Sequence, residues 1–169
     1  MRKSIFWSVL FLSWAFVSCG QVKSTTFKTT IDNLLDETVD TIGVARLAEL
    51  MQNNESIVLL DARELKEFQV SHIEGAKYVG YEKFDAENLP KVDSHQTVVV
   101  YCSIGYRSEK IGEKLDSLGY QNVLNLYGGI FEWVNQGHEV VDAKSTTENI
   151  HGFDKWWSKF ITRGKVVVD

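Results

Sequence analysis

Residues 97–108, TVVVYCSIGYRS, constrain this chain more than any other stretch. Thr97, Val98, Val99, Val100 and Tyr101 are all strand formers without a charged break, which suits a strand buried on both faces of a parallel sheet. Between Arg107 and Leu118 the apolar residues Ile111, Leu115 and Leu118 recur at helical spacing. Cys102 therefore falls between the carboxyl end of a strand and the amino end of a helix.

That placement has chemical consequences. A short loop entering a helix turns backbone N–H groups inward and adds the positive end of the helix dipole. In such a cup a cysteine is drawn toward its nucleophilic thiolate form, helped by a nearby cation such as Arg107 and opposed by burial. A lone cysteine at a strand end more often serves as a small apolar core residue. Gly105 and Arg107 in the same loop favour the reactive reading.

The loop from Cys102 through Ser103, Ile104, Gly105 and Tyr106 to Arg107 and Ser108 resembles the CxxGxRS active-site loop of single-domain rhodanese-like sulfurtransferases. Upstream, Asp61-Ala-Arg63, Glu67-Phe68 and His72-Ile73-Glu74-Gly75-Ala76 resemble the D-x-R, E-[FY] and HI-x-GA parts of that family's signature. Downstream, Leu126-Tyr-Gly128-Gly129 followed by Trp133 and Gly137 resembles its closing segment. The three blocks occur in the family's order, and the resemblance covers residues 42–141.

The resemblance implies an α/β fold and a sulfurtransferase. A Cys102 thiolate would take the sulfane sulfur of thiosulfate or a persulfide donor and pass it to a thiol or cyanide through a Cys102 persulfide. Ser103, Ile104, Gly105, Tyr106 and Arg107 would bind substrate, with the Arg107 fork on the donor's sulfonate or the leaving sulfite. Asp61 and Arg63 read as an ion-paired strut in preference to substrate-facing groups. His72 reads as a turn residue hydrogen-bonded to backbone, and Ser108, Gly128 and Gly129 as supports of the loop. Two glycines alone are weak grounds for a phosphate cradle, and close backbone packing against the Cys102 loop is the better role for them. No cofactor is implied.

Two other classes compete. A Cys-dependent phosphatase also surrounds a cysteine with an oxyanion cup, but its loop is Cys-x5-Arg, whereas four residues separate Cys102 from Arg107. Tyr101 also stands where tyrosine phosphatases carry a histidine. A module that carries sulfur without fast turnover is the second alternative.

At the start of the chain, Arg2 and Lys3 precede an apolar run over residues 5–17. The run is too short for a bilayer of ~30 Å but suits a secretory signal. Ser18-Cys19-Gly20 resembles a bacterial lipobox, with Cys19 as the lipidated residue and Phe16 in place of the usual Leu. The expected division is a signal peptide at 1–18, a tether at 19–40 with one short helix, the catalytic domain at 41–142 and an extension at 143–169. The expected location is the bacterial cell envelope, lipid-anchored through Cys19 and facing the periplasm where there are two membranes.

With 18 basic against 23 acidic residues, a partner bound through a nucleic-acid backbone is disfavoured. With Cys19 lipidated, Cys102 is the remaining thiol, so neither a disulfide nor a CxxC redox pair is expected. His72, His95, His138 and His151 are scattered without ligand spacing, so no metal is expected either. A monomer is expected.

Strands alternating with helices predict a parallel sheet covered on both faces, with its active loop at the strands' carboxyl ends. Residues 81–89 read as a further helical segment closing at Pro90, the chain's one proline. In the extension, Phe153, Trp156, Trp157, Phe160 and Ile161 fall at i, i+3, i+4, i+7 and i+8, which predicts an amphipathic helix. Docking of that helix on the domain is favoured over a membrane interface.

Overall fold

The computed structural model describes residues 21–53, 55–93 and 96–168. The expected signal sequence and Cys19 lie outside the described residues.

The centre is a five-stranded, all-parallel sheet: β1 (Thr41–Ile42), β2 (Ile57–Asp61), β3 (Lys77–Tyr78), β4 (Thr97–Tyr101) and β5 (Val123–Leu126), in spatial order β1-β5-β4-β2-β3. Strand β4 takes the middle because its residues are apolar on both faces. Side chains alternate along it, so Val99 and Tyr101 join one core cluster while Val98 and Val100 join the other. The first cluster takes Leu47 and Leu50 of α2 (Val44–Gln52) and Ile130 and Phe131 of α5 (Gly129–Asn135). The second takes Ile111 and Leu115 of α4 (Tyr106–Ser117). A short α3 (Leu65–Val70) connects β2 to β3. This is the expected parallel sheet with helices on both faces.

Registers of Asp61 with Tyr101 and of Val100 with Asn125 bring three strand ends level. The loops after β2 and β4 and the β5–α5 turn therefore meet at one edge, as the fold class requires of its active loops.

Three stretches differ from expectation. The supposed tether is part of the domain: α1 (Gln21–Asp32) buries Phe27 and Ile31, and the buried Glu109 carboxylate accepts from the amides of Asp36 and Thr38 at 3.0 and 3.1 Å. Polar composition misleads there because a few apolar residues suffice to dock the segment, while its polar backbone is met by one distant carboxylate.

Residues 81–89 hold only a 3-10 turn at Ala86–Asn88. Asp85 stops a longer helix by accepting from the Glu87 amide at 3.0 Å and from the Asn88 side chain at 2.6 Å, local bonds that compete with helical ones.

The predicted helix over 153–161 does not form. The extension contributes β7 (Thr146–Thr147), antiparallel to β6 (Val140–Val141) at the end of the domain, and a parallel pair, β8 (Asn149–His151) with β9 (Lys165–Val167), enclosing a 3-10 turn at Ser158–Phe160. A helix of this length is marginal without tertiary support. Here Asp154 captures the Trp156 and Trp157 amides at 2.7 and 2.8 Å. Asn135 of α5 then takes the Thr162 amide at 2.7 Å and donates to the Phe160 carbonyl at 2.9 Å, which closes the segment after one turn. The segment docks on the domain all the same, because Phe160 is buried and stacks on Phe27 at 5.0 Å between ring centroids.

Candidate active site

Cys102 follows β4 directly and α4 begins four residues later. Its Sγ accepts a hydrogen bond from the Gly105 amide at 3.1 Å. Gly105 makes the turn possible: it sits at φ 122, a region that side-chain-bearing residues rarely adopt. Its carbonyl is fixed by the Asn125 side-chain amide at 3.0 Å and by the Ser108 hydroxyl at 3.0 Å. Ser108 in turn reaches Asn125 Oδ1 at 2.7 Å. Two buried polar side chains thus hold the loop from beneath, and the amides of the first turn of α4 have no carbonyl within the helix to bond.

Of the glycine pair, Gly129 packs closely against the Cys102 loop. The Ile130 and Phe131 amides donate to the carbonyls of Cys102 and Ser103 at 2.9 and 3.1 Å. A Cβ at Gly129 would stand 2.3 Å from the Cys102 carbonyl oxygen, closer than any side chain allows. Any residue with a side chain there would push the Cys102 loop off its floor.

Arg107 lies beside the sulfur, but its fork is closed on protein. Its Nη1 and Nη2 donate to the two oxygens of Glu67 at 2.7 and 2.8 Å, and Nη2 also reaches Ser103 Oγ at 2.9 Å. Ser103 Oγ donates to the same carboxylate at 3.1 Å. Burial works against the charge on Arg107, yet the Glu67 hydrogen bond and the neighbouring Cys102 hold its pKa above the ordinary value. Burial likewise opposes ionisation of Glu67, and its bonds with Arg107 overcome this and hold its pKa at about 2. The Nη edge of the fork predicted to meet a sulfonate is therefore occupied by Glu67 and Ser103, and Arg107 stands near the sulfur as a fixed, paired cation.

The supporting residues sit one layer back. Asp61 and Arg63 are both fully buried and bonded to each other at 2.6 Å, and Arg63 Nη2 also donates to the Ser71 carbonyl at 2.6 Å. Neither lines the pocket. His72 Nδ1 is 3.0 Å from the Phe68 carbonyl, its ring stacks on Phe68 at 3.9 Å, and it does not line the pocket.

Cys102, only 1% exposed, lies at the floor of an open pocket of about 430 Å³. Ser103, Ile104, Tyr106 and Arg107 line it with Cys102. Leu34, Phe153 and Trp157 complete the wall, and Glu64, Tyr81 and Glu82 also border it. Among the described residues no group of three His, Cys, Asp or Glu side chains could hold a metal ion.

Four groups at the site have no role legible in the sequence. Glu67 stood only within the signature, and as the residue three after Glu64 it reads locally as a capping-box partner, which it also is. Its pairing with Arg107 spans 40 positions and leaves no local trace. Asn125 reads as an ordinary polar residue in a strand. Phe153 and Trp157 are legible as an apolar pattern but not as a pocket wall.

Residues 44–136 match the family model for the rhodanese-like domain. The chain belongs to that family. A probable adenylyltransferase/sulfurtransferase of Mycobacterium tuberculosis is 29% identical over 97 residues, which are 57% of this chain and 25% of that protein. The rhodanese-like chain thus spans about a quarter of the length of that relative. Among solved structures, a Bacillus halodurans protein aligns at TM-score 0.58 and 20% identity over 72% of this chain and 88% of its own. A thiosulfate sulfurtransferase of Pseudomonas aeruginosa aligns at TM-score 0.57 and 22% identity over 83% of this chain and 26% of its own. At these identities the two structures establish the rhodanese-like fold.

Proposed function

We propose that this rhodanese-like chain is a sulfurtransferase that moves a sulfane sulfur from thiosulfate or a persulfide donor to a thiol or cyanide through a persulfide on Cys102. The observation that carries the reading is the Cys102 sulfur held at 3.1 Å by the Gly105 amide at the mouth of α4, with its face on a pocket. The M. tuberculosis relative, a probable sulfurtransferase by name, supports the same reading.

In the first half-reaction the Cys102 thiolate attacks the outer sulfur of the donor. With thiosulfate, the S–S bond breaks and its electron pair leaves on sulfite, while the new bond joins Sγ to the transferred sulfur. The Gly105 amide and the dipole of α4 stabilise the negative charge as it moves outward. Arg107, anchored by Glu67, supplies positive potential without leaving its place. In the second half-reaction an acceptor thiolate or cyanide removes the outer sulfur and restores the Cys102 thiolate.

The apolar run at residues 5–17 and Cys19 support a lipid-anchored position in a bacterial envelope, which palmitate labelling of the wild type and not of Cys19→Ala would bear out.

Steady-state thiocyanate formation from thiosulfate and cyanide tests the activity. The expected pattern is ping-pong, with turnover abolished in Cys102→Ser. Thiosulfate-dependent turnover retained in Cys102→Ser refutes the assignment, and a single loading without turnover marks a carrier.

A further inference from the structure

We infer that the donor this site prefers is an organic persulfide with an apolar, uncharged body, and that Phe153 and Trp157 of the C-terminal extension select it. The inference rests on the sulfurtransferase reading and narrows its substrate class.

Size is the first argument. A pocket of about 430 Å³ falls within the range that holds small organic ligands. Thiosulfate, a five-atom anion, would leave most of that space empty.

Lining is the second. Above the sulfur, the wall is made by Leu34, Ile104, Tyr106, Phe153 and Trp157. Leu34, Phe153 and Trp157 fall outside residues 44–136, the span of the family domain, so this chain's own flanks build that side of the pocket. The wall is a held structure. Phe153 takes φ 64, its amide bonds His151 Nδ1 at 3.0 Å, and its ring lies over the Arg107 guanidinium at 5.0 Å. Trp157 packs beside Phe160, which is buried against Phe27.

Charge is the third. Arg107 is the cation lining this pocket, and Glu67 occupies both of its Nη groups while Phe153 covers its face. Glu64 and Glu82 border the same space. An anionic body would meet two carboxylates and a guanidinium whose Nη edge is already paired with Glu67, whereas an aromatic or branched alkyl body meets rings.

The transfer balances without further reagents. The Cys102 thiolate attacks the terminal sulfur of R–S–S–H and the donor S–S bond breaks. Its electron pair leaves with R–S⁻, and the transferred sulfur keeps its proton as Cys102–S–S–H. No oxidant or reductant enters.

The test compares kcat/KM for three donors on the purified protein: benzyl persulfide, glutathione persulfide and thiosulfate, with cyanide as acceptor. The expected result is a preference of about tenfold or more for benzyl persulfide over glutathione persulfide, the scale on which apolar pockets discriminate. Phe153→Ala with Trp157→Ala is expected to shrink that ratio at least about fivefold, chiefly through KM for the benzyl donor. Phe153→Ala alone changes a half-exposed ring and serves as the variant that leaves the fold intact, with a smaller shift in the same direction. Glu82→Gln, an exposed substitution, is expected to raise kcat/KM for glutathione persulfide. Turnover with glutathione persulfide or thiosulfate equal to or above that with benzyl persulfide overturns the inference and leaves the sulfurtransferase reading standing. Failure of all three donors to support turnover overturns both.

Discussion

Two buried arginine–carboxylate pairs sit within one layer of each other and do different work. Asp61–Arg63, at 2.6 Å, is sealed on every side, with both side chains at 0% exposure. Glu67–Arg107, at 2.7 Å, has an equally buried carboxylate, but its guanidinium keeps 12% exposure toward the pocket. The sealed pair ties the end of β2 to the Ser71 carbonyl and can only be a strut. The open pair reaches Ser103 and the field of the Cys102 sulfur, so the same chemistry becomes part of the site. What separates structure from function here is one face of one guanidinium.

The sharpest way to break this comparison is to remove each carboxylate in turn. Asp61→Asn leaves Arg63 charged and sealed, and is expected to cost ~3–5 kcal/mol in chemical unfolding. Glu67→Gln leaves Arg107 with access to water through the pocket, and is expected to cost less, about 1–3 kcal/mol. Equal losses would show that the opening has no energetic meaning.

Exchange of the cations separates the roles from the other side. Arg107→Lys keeps a charge but loses the planar fork that grips Glu67 and Ser103, and sulfur transfer is expected to fall roughly tenfold in kcat as the charge beside the sulfur is displaced. Arg63→Lys is expected to lower the unfolding midpoint while the protein that remains folded keeps its turnover. Activity assays beside thermal melts distinguish the two.

Acid gives a smaller and graded effect. The folded-state pKa of Glu67, at about 2, lies below its ordinary 4.5, so the unfolded chain binds the proton more readily. The stabilisation is complete above 4.5 and is lost as pH falls toward 2. The melting temperature of the wild type should therefore drop across that window more steeply than that of Glu67→Gln. The smallest effect is expected from Lys110→Ala, since its pairs with Asp36 and Glu113 lie at the surface and a change there should leave the midpoint where it was.

The contrast also marks how far local pattern reaches. Strand β4, the glycine turn after it and α4 are legible because each rests on neighbours in sequence: strand formers in a row, then a glycine, then a 3.6-residue period. Gly129 is legible as a close approach to the Cys102 loop only because the paired glycines fall within the family's signature, since the backbone it meets is distant in sequence. Glu67 is not, because its partner lies 40 positions away and a capping box accounts for it locally. Glu109, which holds the Asp36 and Thr38 amides more than 70 positions away, escapes in the same manner. In the extension the apolar spacing predicts one buried helix face, yet of Phe153, Trp156, Trp157, Phe160 and Ile161 Phe160 alone is buried, because Asp154 and Asn135 bond the backbone first and turn the helix into a loop. Polar bonds decide these cases, long-range at Glu67, Glu109 and Asn135 and local at Asp154, and they have no period.

The central claim, that Cys102 carries the transferred sulfur, is tested most directly by intact mass spectrometry of the purified domain after treatment with a sulfur donor. The account predicts a gain of one sulfur atom, removed by cyanide and absent from Cys102→Ser. No gain with any donor, or a gain that persists in Cys102→Ser, would contradict it.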